Sequence, residues 1–153
     1  MKRILLLISI ALMLLPLFSQ HCGSCTKGNT SKPAYTAPTD KQVIAAPKKT
    51  HWISTNYYIT YEWNKKPKIG HFVLLVRAFD KDKKPVTNLD FTADAYMPSM
   101  KGAHDTGDVK MQLNRKNQYA VPVHFMMLGD WEIHIKASLN GKMLGSAFIK
   151  LDI

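Results

Sequence analysis

From His51 onward, apolar side chains recur at every second position, the period of a strand with one buried face. His51–Trp63 (HWISTNYYITYEW) is dense in aromatic and β-branched residues and predicts a first strand. Ile69–Phe79 (IGHFVLLVRAF) predicts a second, closed by the charged turn Asp80-Lys81-Asp82-Lys83-Lys84-Pro85. Within Val86–Met97, Leu89, Phe91, Ala93, Ala95 and Met97 alternate to make one inward face. Val109, Met111 and Leu113 do the same within Gly107–Leu113. Beyond the turn Arg115-Lys116-Asn117, Tyr119, Val121, Val123 and Phe125 alternate, with Pro122 marking an edge or a bulge because it has no amide proton. Trp131, Ile133, Ile135, Ala137 and Leu139 carry the next strand, Asn140-Gly141 is a two-residue hairpin signal, and Met143–Ile153 follows.

Nothing in this region sustains the 3.6-residue period of a helix. The pattern predicts an all-β domain over residues 51–153, a seven-stranded immunoglobulin-like (cupredoxin-like Greek-key) β-sandwich. Trp52, Tyr58, Trp63, Phe79, Phe91 and Trp131 are expected to fill much of its core.

The chain before His51 has a different texture. Lys2 and Arg3 precede the apolar run Ile4–Phe18, which is short against the roughly 20 residues a spanning helix needs. Residues 1–25 therefore read as an export signal. Cys22 and Cys25 follow it, and three readings of Cys25 stay open: lipidation after Gly23-Ser24, a metal or redox pair with Cys22, or removal with the signal. Residues 26–50, rich in Thr, Ser, Lys, Pro and Ala, read as a flexible tether, with Val43-Ile44 its only apolar pair. The expected location is the periplasm or cell envelope, held at the membrane by a lipid or a retained signal.

Charge alters this picture little. The formal net charge is +10, but the lysines are scattered in short clusters at expected loops and turns. An exported protein seldom meets nucleic acid, so nucleic acid is not expected as a partner. No later cysteine staples the domain. No serine nucleophile motif, HExxH or phosphate-cradling glycine loop is present, so an enzyme is not expected.

The candidate chemistry lies between Tyr96 and Trp131, which holds five of the eight methionines. Met97-Pro98-Ser99-Met100 with His104 offers thioethers and an imidazole on one loop, donors that suit Cu(I). Met97 also continues the inward face that starts at Leu89. His124 and Met126 are two apart, so both point to one side of their strand. His134 is placed outward, on a strand that could pair with that of His124. The expected metal ligands are Met97, Met100, His104, His124 and Met126. Asp105 and Asp108 read as turn formers.

Several of these pieces resemble the YtkA-like and FixH-like family of exported β-sandwich domains: Met97-Pro98-Ser99-Met100, His104, Tyr119-Ala120-Val121, and Gly129-Asp130-Trp131-Glu132-Ile133. The glycine usual before the Tyr strand is replaced by Asn117-Gln118. The ten residues between Met100 and Met111, with His124-x-Met126 beyond, are similar to PCuAC-type copper chaperones, although the spacer before His124 is shorter here. The resemblance implies an accessory protein of copper transport, resistance or respiratory oxidase assembly, with a metal ion and an envelope or membrane protein as partners. The alternative is an envelope interaction or structural module that binds no metal.

Overall fold

The computed structural model describes residues 42–153. The expected export signal, Cys22, Cys25 and the first part of the tether lie outside the described residues.

The described chain is a sandwich of two antiparallel sheets. One sheet has the order β1-β2-β3-β8-β7, built from β1 (His51–Trp52), β2 (Tyr57–Trp63), β3 (Gly70–Asp80), β8 (Tyr119–Phe125) and β7 (Gln112–Leu113). The short β4 (Pro85–Val86) also pairs with the end of β3. The other sheet has the order β10-β9-β5-β6, built from β10 (Lys142–Asp152), β9 (Asp130–Leu139), β5 (Asp90–Tyr96) and β6 (Val109–Lys110). A single 3₁₀ turn, Pro98–Met100, follows β5.

The all-β sandwich follows from the period-two pattern. Leu74 and Val76 of β3, Phe91 and Ala93 of β5, Val121 and Phe125 of β8, and Ile133 and Ile135 of β9 all turn inward. The aromatic centre is Trp131 edge-on to Phe125, with ring centroids 5.2 Å apart, and Phe91 tilted on Tyr119 at 4.7 Å. The Asn140-Gly141 turn forms as expected, with both residues at positive φ (50° and 77°). Asn117 takes a left-handed conformation too (φ 56°), which asparagine tolerates. The Asn114 side-chain oxygen accepts the amides of Lys116 and Gln118 around that turn.

Three details differ from expectation. Ten strands stand among the described residues instead of seven, because three expected strands each divide. His51–Trp63 breaks at Ser54, whose hydroxyl oxygen accepts the amide of Tyr57, and β1 folds back on β2. Val86–Met97 divides into β4 and β5. Gly107–Leu113 divides at Met111: β6 pairs with β5 in one sheet, and β7 pairs with β8 in the other. Met111 is buried between the sheets, its amide donates to Phe91 O at 2.9 Å, and Leu113 emerges exposed rather than inward.

Trp52, Tyr58 and Phe79 are not core residues. In β2 the inward positions are Ile59 and Tyr61, so Tyr58 faces out. It stacks on Phe79 and tilts against Trp52, each at 5.1 Å, as a cross-strand aromatic row. Trp63 is half-buried and packs at 5.8 Å from Phe125.

Residues 42–44 join the folded body. The amide of Phe148 donates to Gln42 O at 2.7 Å, and the amide of Ile44 donates to Phe148 O at 2.8 Å. This lays a short parallel segment along β10 and buries Ile44 to 3% exposure.

Candidate functional site

Two irregular segments meet at one end of the sandwich, the loop after β5 and the turn between β8 and β9. Gly129 has φ +133°, and a Cβ there would sit 2.8 Å from the terminal methyl of Met97. Met97 is 4% exposed and belongs to the core. The Met97 carbonyl accepts the amide of Met100, and the Met100 carbonyl accepts those of Ala103 and His104. These bonds coil the loop so that His104 is turned back toward the sandwich. The indole Nε1 of Trp131 donates to Met127 O at 3.1 Å and secures the facing turn.

His104, His124 and Met126 line one pocket of about 200 Å³, together with Ala95, Asp105, Thr106 and Trp131. Thr106 fixes its rim: its amide donates to Ala95 O, and its hydroxyl oxygen accepts the Ala95 amide at 2.9 Å. Ala95 and Trp131 belong to the four-stranded sheet and its flank, whereas His124 ends a strand of the other sheet. Three of the five expected ligands thus share one cavity. Met97 lies in the core, and Met100, half-exposed on the 3₁₀ turn, is not among the residues that line the pocket. Two larger depressions, one over Tyr58, Arg77 and Phe79 and one beside Pro98, Glu132 and Lys150, contain no histidine or methionine. Among the described residues no group of three or more His, Cys, Asp or Glu side chains is placed to hold a metal.

His134 is not beside His124. Its strand, β9, belongs to the other sheet, where His134 pairs across from Asp94 and Phe148. Its ring stacks on Phe148 at 4.1 Å, and burial lowers its pKa, with Lys136 acting in the same direction. Asp108 is held by Lys136, with Nζ 2.6 Å from Oδ2. Tyr96 O–H donates to Glu132 at 2.8 Å, and burial followed by that carboxylate raises the phenol pKa far above its usual value.

The neighbour of His124 is a residue that sequence spacing did not single out. The β3–β8 register sets His71 opposite His124, and the two exposed rings stack at 3.9 Å with planes 10° apart. His71 alternates outward with Val73 and Leu75, so its position on the outer face was legible, but its partner depends on a pairing across about 50 residues.

A family model described as YtkA-like matches residues 53–136, which spans β2 through most of β9 and the whole pocket. The chain belongs to the YtkA-like family. No curated protein matches it. In this YtkA-like domain the Met-Pro-x-Met segment and the Gly-Asp-Trp turn pack on one another through Met97 and Gly129. That contact gives the two motifs a joint structural role, separate from any ligand.

Proposed function

We propose that this YtkA-like domain is an exported, membrane-tethered accessory module that carries copper as cargo, as Cu(I), for transport, resistance or oxidase assembly. The observation that carries the reading is that His104, His124 and Met126 all line one pocket. Two imidazoles and a thioether are a borderline-to-soft donor set, which favours Cu(I) over hard cations. Trp131 supplies an apolar wall to the cavity. Family membership supports an exported accessory domain, and the absence of a catalytic motif supports a non-catalytic role. Tethering through Cys25 or a retained signal, and a membrane or envelope protein as recipient, complete the reading.

The test is competition for Cu(I) against a chromogenic chelator. The parent chain should hold one Cu(I), and His104→Ala combined with Met126→Leu should weaken it at least about tenfold. A chain that takes no Cu(I), or a double variant that binds as the parent does, rejects the proposal. A second reading, an interaction module without metal, draws on the apolar turn Met126-Met127-Leu128, where Leu128 is 70% exposed. Under it, a Leu128→Ser variant loses an envelope partner while Cu(I) is irrelevant.

A further inference from the structure

We infer that His71 and His124 form a second metal position, a two-imidazole clamp for a divalent cation of the Cu(II) class on the outer face of the six-stranded sheet. The two residues are Cα partners on β3 and β8, so the backbone ladder fixes their separation. Their rings lie parallel, 3.9 Å between centroids and 10° between planes, and both side chains are exposed. One ion bound by two nitrogens, each at about 2.0–2.1 Å, requires those nitrogens to stand no more than about 4 Å apart. Stacked face to face, the two rings run their in-plane lone pairs side by side, so each exposed ring must turn out of the stack to aim a nitrogen at a shared ion. Imidazole pairs with water in the remaining positions rank divalent ions with Cu(II) first.

This position is distinct from the pocket. His71 does not line that cavity, and His71, His104 and His124 do not form a three-residue group able to hold one ion. His124 is common to both, and the inference rests on the pocket reading only through that residue. A ring that coordinates an ion beside His71 cannot at the same time serve the pocket from the same nitrogen. Occupation by a divalent ion would therefore compete with the Cu(I) cargo, and the surface pair would make the module responsive to both oxidation states of copper.

The experiment titrates the full-length chain with Cu(II) alone and reads affinity together with nitrogen couplings in the electron paramagnetic resonance spectrum. The parent is expected to show two equivalent imidazole nitrogens. His71→Phe keeps a flat ring against His124 and removes the ligand. It should lose one coupling and weaken Cu(II) at least about tenfold, while Cu(I) affinity stays within about twofold. His104→Ala should do the reverse. A parent chain that binds no Cu(II), or a His71→Phe chain with unchanged Cu(II) affinity and spectrum, overturns the clamp. Loss of Cu(I) binding alone, with the two-nitrogen spectrum intact, would reject the pocket reading and leave the clamp standing.

Discussion

Gly129 shows how much one residue carries. Its φ of +133° lies where side chains with a Cβ are strained, and the atom would also meet the Met97 methyl at 2.8 Å. Gly129→Ala should cost about 1–3 kcal/mol, read as a lower thermal midpoint. The methyl at the end of Met97 can move aside, so Met97→Ala should not rescue it. His134 and His51 set a second expectation. Burial lowers the pKa of both below the usual 6.5. The unfolded chain then binds protons that the folded chain refuses, so stability is full above 6.5 and falls as pH drops toward the lowered folded values. A melting series from neutral to mildly acid pH should show that decline, and His134→Gln should flatten it. Residue roles were unevenly legible beforehand. Met97, Phe125 and Trp131 declare themselves inward through alternation, whereas for His71 the local pattern gives the face but not the partner. Its significance arises from the opposing strand alone.

At the level of elements, alternation identified β5, β8 and β9 because each has a face set by core contacts, while β2 and β3 were read from their apolar, aromatic and β-branched runs and β10 from its place after the Asn140-Gly141 turn. It failed at the breaks. Val109, Met111 and Leu113 alternate in sequence as one strand would, but hydrogen-bond partners, not hydropathy, decide which sheet each residue joins. Met111 is the pivot between two ladders, buried at 3% exposure. Met111→Ala should cost about 2–5 kcal/mol in a urea melt. It should also loosen β6 and β7 together, although they belong to different sheets. The pocket was half legible for the same reason: the strand period aligned His124 with Met126, while the approach of His104 depends on a loop coiled by the Met97 and Met100 carbonyls.

For the whole molecule, sheet edges are the exposed liability, and this fold keeps them short. β1, β6 and β7 are two residues each, and residues 42–44 cover part of β10. Ile44→Pro removes the amide that donates to Phe148 O and should lower stability. The uncovered β10 edge should also raise self-association, visible by light scattering as concentration increases. The pocket, in turn, spans the seam of the sandwich, with Trp131 on one sheet and His124 on the other. An ion held there by His104, His124 and Met126 would act as a reversible cross-link. Its arrival would be felt as slower amide exchange at the end of β8 and in the loop after β5 alike, and its departure would return the two layers to independent breathing.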